Sequence, residues 1–182
     1  MENTEKKVGI LQPALTYGLI LGLGLIVLSI GNYALEIYQP GPLNQLIQLI
    51  VVAGLIIFGQ YKYRNDYKNG FISYGQSLGF GVLMGVIAAL ISALFFVLLT
   101  QVIDPNYMEK LFAAIEQKFY QDNVPEEQIA MAMEITKKTM SIAIMVPLSI
   151  FMLTFMSLVV SLITSIFVKK AESPFGKDEF NG

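Results

Sequence analysis

Four stretches of the 182-residue chain carry no charged side chain: Val8 to Leu35, Ile37 to Tyr61, Asn69 to Ile103 and Thr139 to Val168. Each contains an apolar run of spanning or near-spanning length, continuous rather than alternating, which predicts membrane helices and excludes a transmembrane barrel. The clearest run is Leu78 to Leu99; its 22 residues rise about 33 Å as a helix, against a hydrocarbon core of about 30 Å. Ala14 to Gly31 and Ile142 to Val168 read the same way. The second run, Leu46 to Gly59, is weaker, because Gln48 interrupts it and Asn44 and Gln45 precede it, so a re-entrant or interfacial segment is its alternative. The pattern predicts an all-α polytopic membrane protein, a single integral membrane domain over 1–182. Its spans are expected at 13–35, 43–61, 74–102 and 141–168, with flexible tails at 1–7 and 171–182. Lys6 and Lys7 before the first run give it the look of a signal sequence, but its apolar length favours an uncleaved first helix.

The connection between spans three and four, about 104–140, is the one sizeable segment outside the spans, and it is read as an amphipathic helical hairpin. Asp104-Pro105 looks like an N-cap with proline at the first helical position. Met108, Leu111, Phe112, Ile115 and Phe119 then fall at helical spacing, and the pattern stops at Gln121-Asp122-Asn123. Pro125-Glu126-Glu127 opens a second helix with stripe Ile129, Ala132, Met133, Thr136 and Met140, and with Lys137 and Lys138 in its last turn. Between spans two and three, Asn69-Gly70 predicts a turn and Ser73-Tyr74-Gly75-Gln76 a capping box. Tyr61, Tyr63, Tyr67, Phe71 and Tyr74 cluster there, as an aromatic belt at headgroup depth would. Pro147 predicts a kink in the fourth span or a boundary near Val146.

Small residues recur at helical spacing. Gly18 and Gly22 share a face of span one; Ser77, Gly81, Gly85, Ala89 and Ala93 form a stripe along span three; Ser157, Ser161 and Ser165 share a face of span four. Such stripes are expected at close helix contacts, within one chain or between copies. A polar pathway is the weaker reading, with Asn32, Gln48, Ser92, Thr154 and Thr164 as further polar candidates beside the serines.

Composition narrows the chemistry. With 54% hydrophobic and 14% charged residues, where a soluble domain carries about a quarter charged, the chain is no ordinary soluble globule. It has no His and no Cys, which removes the commonest general base, thiol nucleophiles and thiolate metal sites. No charge lies inside a span, which removes the usual carriers of ion-coupled transport. A net charge of −2 gives no basic field for nucleic acid. Its distribution says more. Lys6, Lys7, Lys62, Arg64, Lys68, Lys169, Lys170 and Lys177 lie on one side, so both termini are expected to be cytoplasmic and the hairpin external. The hairpin carries Asp104, Glu109, Glu116, Asp122, Glu126, Glu127 and Glu134, read as solvated helix faces because no EF-hand-like oxygen spacing is present.

Tyr63-Arg64-Asn65, the segment Gly70-Phe71-Ile72-Ser73-Tyr74-Gly75-Gln76-Ser77, Ile103-Asp104-Pro105, the Pro-Glu-Glu-Gln helix start at 125 and Lys169-Lys170 together resemble a family of small four-span bacterial membrane proteins, the domain-of-unknown-function family DUF4199. The resemblance runs from about Gln12 to Lys170 and implies four helices in a bacterial inner (plasma) membrane. It implies no activity. The expected function is a non-enzymatic accessory or scaffold without catalytic, cofactor-binding or metal-binding residues, associating through the small-residue faces with a second copy or another membrane protein. The alternative is an oligomeric transporter or channel for a neutral or lipid-like solute.

Overall fold

The computed structural model describes residues 9–171. The expected tails, with Lys6, Lys7 and Lys177, lie outside the described residues except for Ala171. Six helices follow in order: α1 (Leu11–Ala34), α2 (Pro42–Lys62), α3 (Tyr74–Leu98), α4 (Tyr107–Gln121), α5 (Glu126–Thr139) and α6 (Ile142–Val168). A π-helical turn, Tyr63–Tyr67, prolongs α2, and another, Leu99–Ile103, prolongs α3. α1, α2, α3 and α6 are long and apolar enough to cross a membrane. The weak second run is no exception. With its π turn it forms 26 helical residues, about 39 Å at the usual rise, because the flanking Asn44, Gln45 and Gln60 continue the helix instead of ending it.

α3 packs most extensively on α6 and on α1, while α2 lies across the bundle from α3 and touches α6 and α1. The order around the bundle is therefore α1, α3, α6, α2. Small residues set the two main contacts. A Cβ on Gly18 would stand 2.8 Å from Ile87 Cβ, and one on Gly22 would stand 3.2 Å from Ile91 Cβ, so α1 seats the branched side chains of α3 where its own side chains are missing. On the other side of α3, a Cβ on Gly81 would fall on Ser161 Oγ and one on Gly85 on the Ser157 side chain. Gly59 of α2 makes room for Met84, whose Sδ would lie 2.6 Å from an added Cβ. Lipid offers helices no hydrophobic reason to associate, so this close approach and its van der Waals contact carry the bundle.

Gln60 adds a polar tie. It is fully buried, and its side-chain amide donates to the Ser77 carbonyl and to Ser165 Oγ, both at 3.1 Å, joining α2, α3 and α6. Below it, the π turn rotates Tyr63 inward onto Phe80, with ring centroids 4.2 Å apart and planes 6° from parallel. Tyr63, at 2% exposure, is thus a core residue, which corrects its placement in the aromatic belt. Tyr61 and Tyr67 do stay at the surface.

Local punctuation follows the side-chain chemistry. Asn69 and Gly70 take φ of 50° and 84°, and Ser73 and Gln76 form the reciprocal capping box with both bonds at 3.2 Å. α6 passes through Pro147 without a boundary, and it is separated from α5 by a break at Met140-Ser141. Asp104 is not the N-cap of α4. Asn106 holds that position, and the Asp104 carboxylate is drawn instead to Tyr33 and Lys110. α4 and α5 bury Leu111, Ile115, Ile129 and Met133 against each other, with Tyr38 and Met145 packed at the edge.

Gly85→Ala is expected to destabilise the protein by about 1–3 kcal/mol, the range for overpacking a tight contact. Gly79→Ala on the same helix, where an added Cβ meets nothing within 4 Å, should be neutral or up to about 1 kcal/mol stabilising. Unfolding midpoints of the detergent-solubilised variants check both; equal effects would contradict the packing account.

Candidate functional site

The small-residue stripe of α3 has two different neighbourhoods. In the half of the bundle near the chain ends, Ser77, Gly81 and Gly85 are covered by α6 and Gln60. Ser157, Ser161 and Ser165 are themselves fully buried there: Ser157 Oγ donates to the Leu153 carbonyl at 2.8 Å, and Ser165 accepts from Gln60. In the half near the hairpin, the same stripe continues as Ala89 and Ala93, and there it lines a cavity of about 340 Å³. The cavity lies among the second half of α1, the first half of α2, α3 and the start of α6. No side chain long enough to fill it projects from Ala89 or Ala93.

The lining has a definite character. Leu25, Leu28, Ile47, Phe95 and Leu153 supply apolar wall, and Ser29, Asn32, Asn44, Gln48, Ser92 and Ser149 supply neutral donors and acceptors. No Asp, Glu, Lys or Arg is among the lining residues. Ser92 Oγ is buried in the wall without a hydrogen-bond partner, as are Gln60 Oε1, Ser77 Oγ and Ser161 Oγ at the helix contacts away from the cavity. Pockets of this size with apolar walls and a few convergent polar groups are the usual form of small-molecule sites.

Aromatic rings close the hairpin side. Tyr107, at the start of α4, meets Tyr38 edge-on at 5.6 Å and Phe96 at 6.1 Å, with Tyr33 at 6.3 Å. Asp104 holds that start in place. Its carboxylate accepts from Lys110 Nζ at 2.6 Å, from Tyr33 Oη at 3.2 Å and from the Asn106 backbone N–H at 3.2 Å, and the residue is only 7% exposed. The Lys110 bond keeps the Asp104 carboxyl below the usual carboxylate range, and the same bond raises the Lys110 ammonium. Burial pushes the Tyr107 phenol up.

Of the residues singled out in the sequence, Asn32, Gln48, Ser92, Ala89 and Ala93 meet at the cavity. Gly18, Gly22, Ser77, Gly81, Gly85, Ser157, Ser161 and Ser165 sit at contacts within the chain and do not line it. Sequence reasoning missed Gln60, Tyr38 and Tyr107. The polarity of Asn32, Asn44, Gln48 and Ser92 in otherwise apolar spans was the readable sign of an inward-facing polar site. Among the described residues no group of His, Cys, Asp and Glu is placed to hold a metal ion.

Four long apolar helices closed around their own small-residue seams define a multi-pass membrane protein. The chain belongs to the family described as protein of unknown function, DUF4199, whose model matches residues 16–170. No curated protein and no solved structure matches it.

Asp104→Asn is expected to lower the unfolding midpoint at neutral pH. A carboxylate whose folded-state pKa is lowered contributes stability that is full above its ordinary value of about 4 and is lost as pH falls through the lowered value. The gap between wild type and Asp104→Asn should therefore close on acidification below about pH 4, as followed by unfolding midpoints across pH; a gap independent of pH would refute the carboxylate's role.

Proposed function

We propose that this membrane protein is a non-enzymatic binding component that holds a neutral, lipid-like solute in the hairpin-side cavity. The observation that carries this reading is the uncharged lining: apolar wall around the neutral polar residues Ser29, Asn32, Asn44 and Gln48. An amphiphile with an uncharged polar head satisfies both parts, whereas an ion would enter without a counter-charge. Its accessory role then rests on what the cavity holds. The small-residue faces, which would otherwise dock a partner, are occupied by α1, α3 and α6 of one chain. A pathway lined by the α6 serines draws no support from their burial against α3.

The family resemblance supports a bacterial inner (plasma) membrane location, and the sidedness of charge supports an orientation with both termini cytoplasmic. Lys62, Arg64, Lys68, Lys169 and Lys170 stand at one end of the bundle and the acidic hairpin at the other. The cavity then lies in the outer-leaflet half of the bundle.

Because the chain has no cysteine, single replacements report topology cleanly. Asn123→Cys should react with a membrane-impermeant maleimide in intact cells, and Asn65→Cys only after permeabilisation; the reverse pattern would invert the orientation. For the cavity, protein purified in mild detergent is expected to retain a neutral amphiphile detectable by mass spectrometry. Ser92→Leu, which fills the space, should lower the retained amount at least about fivefold, equivalent to about 1 kcal/mol, with the unfolding midpoint preserved. Equal retention by wild type and Ser92→Leu would sink the proposal.

A further inference from the structure

The end of the bundle opposite the cavity carries a second, chemically different concavity. An open groove of about 730 Å³ lies between the α2–α3 connection and the residues after α6, lined by Lys68, Lys169, Lys170 and the half-buried Phe71, with Ile72 buried in the core behind them. Its two sides are fixed to each other. Ile72 and Lys170 exchange antiparallel backbone hydrogen bonds, both at 3.0 Å, so the lysine pair is held by backbone. Arg64 reinforces the junction by donating from Nη1 to the Val168 carbonyl at 3.1 Å, at the end of α6 where the helix dipole favours a cation.

The charges divide by role. Lys62 pairs with Asp66 at 3.8 Å, and Arg64 is engaged with Val168 and lies over the Tyr61 ring. Lys68 and Lys170 rest against rings, Tyr63 and Phe71, each 5.6 Å from the centroid. Among the described residues, no carboxylate pairs with Lys68, Lys169 or Lys170. Three ammonium groups thus border one groove, and among the described residues Asp66, the acid at this end of the bundle, is already paired with Lys62. The groove also sits where α2 ends, α3 begins and α6 ends, which is the depth of lipid headgroups.

We propose that this groove binds the phosphate of an anionic phospholipid, with the lysines around the phosphate and the half-buried Phe71 ring against the glycerol and upper acyl chain. An aromatic ring beside the lysines at the end of spanning helices fits a lipid better than a free anion. Clustered basic residues at this depth attract anionic headgroups at roughly fivefold in affinity each. The groove is separate from the hairpin-side cavity, and neither site requires the other.

The test is native mass spectrometry of the full-length protein in detergent, titrated with phosphatidylglycerol and with phosphatidylcholine of the same acyl chains. Wild type is expected to prefer phosphatidylglycerol, with a preference that falls as salt rises. K68Q/K169Q/K170Q should weaken phosphatidylglycerol binding at least about tenfold and leave phosphatidylcholine unchanged. K68R/K169R/K170R should retain binding, and K118Q/K137Q/K138Q, which removes equal charge from the hairpin, should leave it at the wild-type level. Equal binding of the two lipids, or equal loss in the groove and hairpin variants, overturns the proposal. Displacement of the lipid by millimolar inorganic phosphate at constant ionic strength overturns it as well, since that marks a free-anion site.

Discussion

Helices in a bilayer gain nothing by hiding apolar surface from one another, because lipid tails are as apolar as leucine. What remains is close contact, and here it depends on the face of α3 that carries Gly81 and Gly85. With no side chain at either position, Ser161 and Ser157 of α6 reach the α3 backbone, and Ile87 and Ile91 on another face of α3 fill the gaps left by Gly18 and Gly22 of α1. Once these helices are that close, Gln60 of α2 can be buried and bonded to both Ser77 and Ser165. A larger residue on the seam would part the helices and leave the Gln60 amide in hydrocarbon without partners, where an unmade hydrogen bond is costly.

The same stripe explains why the cavity lies in one half of the bundle only. Small residues close a contact when the facing helix comes to meet them, and leave space when it does not. Gly81 and Gly85 are met by α6; Ala89 and Ala93 line the void. Neutral polar side chains from α1, α2 and α3 share that void with leucine and phenylalanine, and the Asp104–Lys110 pair holds Tyr107 across its hairpin side. The hairpin is therefore more than a solvated connection, because its first turn is part of the wall.

The two ends of the molecule carry opposite charge and different construction. Acids and lysines on α4 and α5 occupy the faces that the Leu111–Ile129 core leaves outside. At the other end, the π turn, the Asn69-Gly70 turn and the Ile72–Lys170 bridge bind three helix ends into one basic surface.

Sequence alone determined the four helices, the amphipathic hairpin, the turn and cap before α3, and the sidedness of charge. Each of these rests on local chemistry: hydropathy over a span's length, helical periodicity, the positive φ tolerated by Asn69-Gly70, the Ser73–Gln76 reciprocity. It also marked the small-residue faces, because spacing along a helix is a local property. Only the tertiary structure decided what those faces meet, which polar residues converge, and that Tyr63 turns inward on a π turn and Asp104 toward Lys110 rather than to a cap. These depend on partners far apart in the chain, such as Gln60 with Ser165 or Tyr33 with Asp104. A stripe of alanines reads the same in sequence whether a neighbouring helix closes on it or stands away.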